Sequence, residues 1–219
     1  MALNENIVRE QDARISKMVH TPTFLVMAGA LPGLFAATSL ENGVAIGAVT
    51  AAAVLVMALV APALRAFTGT WSRVPVMLMV SVTVTTLLGY AVRVANPVVF
   101  ETLGIYLPLV AVNAIVVAWI AGDGLVVAPA KTPLATAAFA AVCVFATLAF
   151  VGFINGMFTT GQVFGLTMGE LAASPIAAFG KPTGSLLVLA LVAVFVQSVE
   201  QACAKGAAAD GADAEGGER

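Results

Sequence analysis

Few side chains in this sequence could do chemistry, and their spacing restricts what that chemistry could be. The chain has two cysteines, Cys143 and Cys203, and one histidine, His20. No His/Cys set has metal-ligand spacing, no Ser/His/Asp set shares a face, and no phosphate-cradling glycine loop follows a strand. Hydrolase and transferase readings fall on that ground. What remains is a handful of small polar residues inside long apolar runs: Thr38, Ser39 and Asn113. Hydroxyls and carboxamides in such places suit contacts to an ion or small solute in an apolar medium. Backbone carbonyls near Leu31 and Leu107 are candidates to assist them. Each polar group follows a glycine and a proline, Gly29 and Pro32 before Thr38, Gly104 and Pro108 before Asn113. Proline removes a backbone donor and frees a carbonyl upstream, so a helix should bend or break at each place.

The surrounding medium follows from composition. Of 219 residues, 60% are apolar and 10% charged, against about 45–50% and 25% in soluble domains. With a mean hydropathy of +1.01, the partner of this surface is a lipid bilayer. A formal charge of −2 supplies no basic face for phosphates, so nucleic acid is excluded as a partner. Two cysteines cannot make a disulfide scaffold.

The elements that position the polar residues are set off by the charges. After Arg9, Arg14 and Lys17 no charge appears until Glu41, and further charge-free intervals are 42–64, 74–92, 102–122, 132–169 and 182–199. A helix crossing a hydrocarbon core needs about 20 residues, so the expectation is an all-α membrane protein of six spans. The longest interval holds one helix, about 132–157, and then a Gly/Thr-rich segment. Stretches such as 48–60 are apolar on every face, which excludes a β-barrel. The expected organisation is a cytoplasmic segment 1–20, a transmembrane domain 21–203 and an unordered cytoplasmic tail 204–219. The first segment is either an interfacial helix or a solvated tail. No cleavable signal pattern follows it, so the first apolar run is read as a signal-anchor.

Alternating spans place Arg9, Arg14, Lys17, Arg65, Arg73, Lys131, Lys205 and Arg219 on one side, and only Arg93 and Lys181 on the other. Both termini are therefore expected in the cytoplasm, with the chain in the plasma or inner membrane. Arg93, Glu101 and Asp123 fall at span ends, so none is a deep proton relay. Gly43, Gly47 and Ala51 on the second span, and Ser81, Thr85 and Gly89 on the third, form rows for close helix packing. Cys143 reads as a small buried hydrophobe.

Pro32 and Pro108 open the first and fourth spans, so the chain reads as two three-helix halves. An odd number of crossings per half inverts one relative to the other. Inverted repeats with broken helices meeting near the midplane are a transporter architecture. Two ordinary proline kinks are the alternative.

These residues also resemble a known family. The run Leu103-Gly-Ile-Tyr-Leu-Pro-Leu-Val-Ala-Val-Asn-Ala-Ile-Val-Val117 resembles the fourth-helix signature of the integral membrane subunits of Rnf and Nqr complexes. Gly29-Ala-Leu-Pro-Gly-Leu-Phe-Ala-Ala-Thr-Ser39 resembles their first-helix Gly-Leu-Cys-Pro motif with its following Thr-Ser. Gly161-Gln-Val-Phe-Gly165 is similar to the Gly-Thr-Leu-Phe-Gly loop of the RnfE/NqrD branch rather than the RnfA/NqrE branch. The resemblance runs from about Thr23 to Val199.

The resemblance implies a subunit of a redox-driven ion pump that pairs with a homologous subunit of opposite orientation, or with itself as a homodimer, beside other Rnf/Nqr-type subunits. In the family each of the two supplies two cysteines to a shared 2Fe–2S cluster in the membrane. Here the expected cysteine positions hold Leu31 and Ala114. An Arg-Glu pair before the glycine loop is also missing, with Asn155 and Gly156 near that place. The expectation is a non-catalytic subunit with no cluster and no metal of its own. The alternative is a small inverted-repeat transporter or channel for an ion or solute.

Overall fold

A computed structural model describes residues 22–69, 72–121, 133–160, 162–163, 166–167, 179 and 181–216. The segment 1–20 with His20, and the loop positions Asp123, Lys131 and Gly161, lie outside them. Its helices are α1 (Pro22–Leu34), α2 (Leu40–Phe67), α3 (Arg73–Ala95), α4 (Pro97–Leu103), α5 (Tyr106–Leu109), α6 (Ala114–Ala121), α7 (Pro133–Thr160) and α8 (Pro182–Gly216). A single 3-10 turn, Val110–Val112, joins α5 to α6. The described residues add one small antiparallel pair, with Gln162 opposite Thr167 and Val163 opposite Leu166.

Among the described residues three helices are long and apolar enough to cross a bilayer, within α2, α3 and α7. A fourth is formed by the α4–α6 region if its two arms, bent by 69°, count as one span. The apolar part of α8 is shorter, Thr183–Val199. With 13 residues, α1 is about 20 Å long at 1.5 Å per residue, well short of the roughly 30 Å hydrocarbon core. The fourth segment is thus interrupted at its 69° bend, and the first is a short helix followed by a non-helical stretch, 35–39.

Where they break differs from the proline positions. Pro32 lies inside α1, which runs on to Leu34. A proline this near the end costs one hydrogen bond of the last turn, and the chain leaves the helix at 35–39, where Ser39 caps α2. The Asn42 N–H donates to Ser39 Oγ at 3.3 Å, and Ser39 has extended backbone angles. Pro108 is the third residue of the short α5, where first-turn N–H groups lack helical partners anyway. The sharp break is made by Gly104, whose φ of 41° with ψ of −117° is open to glycine and strained for other residues. A second break follows at Asn113, ahead of α6.

In lipid, helices gain little from hiding apolar surface from one another, so association rests on close van der Waals contact. The α2–α7 pair shows this directly. A Cβ built on Gly43 would stand 2.5 Å from the Leu148 carbonyl oxygen, and one built on Gly152 would stand 2.5 Å from the Ser39 carbonyl oxygen. Gly47 meets Phe145 and Leu148. Rising numbers on α2 meet falling numbers on α7, so the two 28-residue helices are antiparallel with backbones touching. Around this contact Leu34, Ile46, Met57, Met77, Leu103, Ile115 and Leu148 form the core.

At the other end of the chain α8 continues to Gly216, into the segment expected to be unordered. Ala204, Ala207, Ala208, Ala209, Ala212 and Ala214 lie there, and alanine loses the least on entering a helix.

Candidate functional site: polar bonds around the first half-helix

Three asparagines, from three different elements, surround α1 and the break that follows it. Asn113 is fully buried between the 3-10 turn and α6. Its Nδ2 donates to the Gly29 carbonyl at 2.7 Å, 84 residues away in sequence, and its Oδ1 accepts from the Ile115 N–H at 3.1 Å. One side chain therefore caps α6 and ties the broken fourth segment to the first. The approach is close because residue 29 is glycine: a Cβ there would collide with the Ile115 and Val144 side chains.

The second asparagine, Asn155 on α7, is also fully buried. Its Nδ2 donates to the Ala37 carbonyl and to Ser185 Oγ of α8, both at 2.8 Å. Its Oδ1 has no partner among the described residues. The third, Asn42 in the first turn of α2, donates through Nδ2 to Thr38 Oγ1 at 3.2 Å and accepts from the Thr102 hydroxyl at 2.9 Å. Beside these, Ser81 Oγ donates to the Ala111 carbonyl at 2.9 Å, satisfying backbone of the 3-10 turn. Irregular backbone at membrane depth persists where protein groups of this kind supply the missing bonds.

The polar residues singled out from the sequence have separate tasks. Asn113 and Gly29 are brought into direct contact. Thr38 is exposed and reaches the fourth segment through Asn42 and Thr102, while Ser39 serves as a helix cap. They do not converge on one point with Asn113. The Leu107 carbonyl, a candidate solute contact, accepts from the Val110 N–H and so is engaged within the turn. Asn155 is visible in the sequence only as part of a departure from a motif, and Asn42, Thr102 and Ser185 carry no motif at all. A polar side chain at each of these places in an otherwise apolar run was the available signal.

Leu31 and Ala114, each within two residues of the Asn113–Gly29 bond, are both exposed, Leu31 at 44%. They face outward from the chain's core. Neither an isobutyl nor a methyl group can ligate iron, so the donor set at these places does not fit an iron–sulfur cluster. Cys143 lies half-buried in α7, packed against the core. No group of three or more His, Cys, Asp or Glu side chains able to hold a metal gathers among the described residues.

The family model described as "Rnf-Nqr subunit, membrane protein" matches residues 14–194. The chain is 27% identical over 175 residues to the E-type component of the Na(+)-translocating ferredoxin:NAD(+) oxidoreductase complex of Acetobacterium woodii, covering 78% of this chain and 87% of that protein. It is 30% identical over 96 residues to the E-type component of the ion-translocating oxidoreductase complex of Methanosarcina acetivorans, covering 44% and 45% of the two chains.

Proposed function

The chain belongs to the Rnf-Nqr family of membrane subunits, and from this we propose that it is a cluster-free E-type component of a redox-driven, ion-translocating complex. It contributes half of a pseudosymmetric membrane core and holds no iron–sulfur cluster. Electrons in such a complex take a path that does not use thiolates of this chain. The carrying observation is the geometry at Leu31 and Ala114: the backbone of both half-helix motifs is tied together by Asn113 and Gly29, yet neither outward side chain is a ligand.

Topology belongs to the same proposal. The chain crosses the inner membrane six times as two inverted three-helix repeats, with both termini in the cytoplasm. The antiparallel α2–α7 contact, the bent fourth segment and the short α1 support this reading. The partner is a homologous subunit of opposite orientation, packed over the face that carries Leu31 and Ala114, beside further Rnf/Nqr-type subunits.

One preparation tests the proposal. The full chain, purified with the subunits that accompany it, is assayed for iron bound to this chain and for ferredoxin- or NADH-driven sodium or proton uptake in vesicles. The expected result is co-purifying flavin subunits, ion uptake that requires the chain, and no iron assigned to it. A Leu31→Cys/Ala114→Cys variant provides the comparison, since it restores two thiolates where the family has them. A stoichiometric cluster in the unaltered chain would overturn the cluster-free reading. A chain that purifies alone, or as a homodimer, and responds to a solute without redox partners would instead be a small transporter.

A further inference from the structure

The corner between α3 and the broken fourth segment forms a half-open cavity of about 220 Å³, lined by Thr85, Gly89, Arg93, Phe100, Gly104 and Pro108 among others, with Arg93, Gly104 and Pro108 at its exposed rim. Nothing in the polar bonds around α1 uses it. It combines two features that suit a polar ligand. The first is a cation: the Arg93 guanidinium carbon lies 5.7 Å from the Phe100 ring centroid, and no carboxylate among the described residues pairs with it. Glu101, the neighbouring acid, is exposed and does not line the cavity.

The second is a hydroxyl with nothing to bond. Thr83 and Thr86 on the same helix donate to the carbonyls of Met79 and Val82 at 2.8 Å, the usual resting place for a threonine in a helix. Thr85, 2% exposed, has no partner for its Oγ1 among the described residues. A buried, unsatisfied hydroxyl costs free energy unless something in the cavity accepts its proton.

Their relative depth selects a ligand. A Cβ built on Gly89 would stand 3.8 Å from the edge of Phe100, so the ring, and the guanidinium over it, sit near the level of residue 89. Thr85 is one turn deeper, about 6 Å along the helix axis. Arg93 itself is close to the end of α3 at Ala95, where a span meets the interface. We propose that this cavity binds a phosphate-bearing amphiphile, an anionic phospholipid head. Its phosphate lies against Arg93, and an ester oxygen one turn deeper accepts the Thr85 hydroxyl. The volume equals about seven waters at roughly 30 Å³ each, enough for a phosphate and part of its glycerol. Acyl chains leave past the exposed Tyr90 and Pro108 into the bilayer.

The test uses the full chain in detergent, with whatever subunits co-purify, and follows its thermal unfolding. The probes are dioctanoyl phosphatidylglycerol, dioctanoylglycerol and inorganic phosphate at equal concentrations. The phosphatidylglycerol is expected to raise the unfolding temperature, and the other two to have little effect. Arg93→Gln is expected to abolish that rise. Thr85→Val keeps the shape and removes the unsatisfied hydroxyl, so the variant folds. Its apparent lipid affinity is expected to fall about five- to tenfold, the loss of one hydrogen bond. Equal protection by dioctanoylglycerol or by inorganic phosphate overturns the proposal, as does lipid protection that survives both substitutions.

Discussion

Replacing Asn113 tests the central claim about the site, because its side chain performs two tasks that two substitutions can separate. In Asn113→Ala the Ile115 N–H loses its cap and the Gly29 carbonyl loses its 2.7 Å partner, both in a fully buried place. Loss of an Asn cap costs about 1 kcal/mol. Orphaning a buried carbonyl costs about 1–3 kcal/mol, towards the lower end inside a membrane bundle, where side-chain hydrogen bonds average about 0.6 kcal/mol and reach about 1.7. The two together come to about 2–3 kcal/mol, or a 30- to 150-fold shift in the unfolding equilibrium. Asn113→Ser retains a capping oxygen but is too short to reach Gly29, so it should lose only the second part, about 1–2 kcal/mol. Equilibrium unfolding in mixed micelles, read by tryptophan fluorescence, gives both values, and hydrogen exchange at the Ile115 amide reports the cap separately. If Asn113→Ala costs less than about 0.5 kcal/mol, as a neutral surface change does, the joining of the two broken segments by this residue is refuted. The same holds if the serine variant, which keeps the cap but cannot reach Gly29, also loses less than about 0.5 kcal/mol while exchange at Ile115 stays slow.

Further expectations concern packing, the second break and topology. Gly43→Ala and Gly152→Ala should each sharply reduce folded yield and melting temperature, since the new methyl meets backbone atoms at 2.5 Å. Gly69→Ala, whose nearest neighbour is 3.9 Å away, should not. Gly104→Ala should cost about 1–3 kcal/mol in the same unfolding assay, because its φ of 41° is strained for any other residue. Ser185→Ala removes one bond to Asn155 and should cost about 1 kcal/mol, a larger loss in melting temperature than Ser198→Ala on the exposed part of the same helix. For topology, Ser72→Cys and Lys181→Cys, placed in a chain whose native cysteines are replaced by alanine, should react with a membrane-impermeant maleimide from opposite sides. Reaction of both from one side would exclude the inverted arrangement.

Helical class, membrane environment and the break in the fourth segment were legible in the sequence. Each depends on local chemistry: charge-free length against bilayer thickness, and glycine and proline against the helix hydrogen-bond ladder. The rows Gly43–Gly47–Ala51 and Ser81–Thr85–Gly89 were legible too, since helical spacing alone puts such residues on one face; all are buried except Ala51, which is half-buried. The exact breaks were not. Proline marks where a bond is lost, but the chain turns where a neighbour or cap can satisfy the freed groups, at Phe35–Ser39, Gly104 and Asn113.

Residue types alone determined that Leu31 and Ala114 cannot hold iron, because ligation is a property of the side chain wherever it points. Only the tertiary structure decided that Asn113 reaches Gly29, that Asn155 reaches Ala37 and Ser185, and that Thr85 is left without a partner among the described residues. Those pairings span 84, 118 and 30 residues, and no local periodicity encodes them. They follow from how closely the helices approach, and bare glycine backbones permit that approach: Gly29 beside Ile115 and Val144, and Gly43 and Gly152 where α2 meets α7.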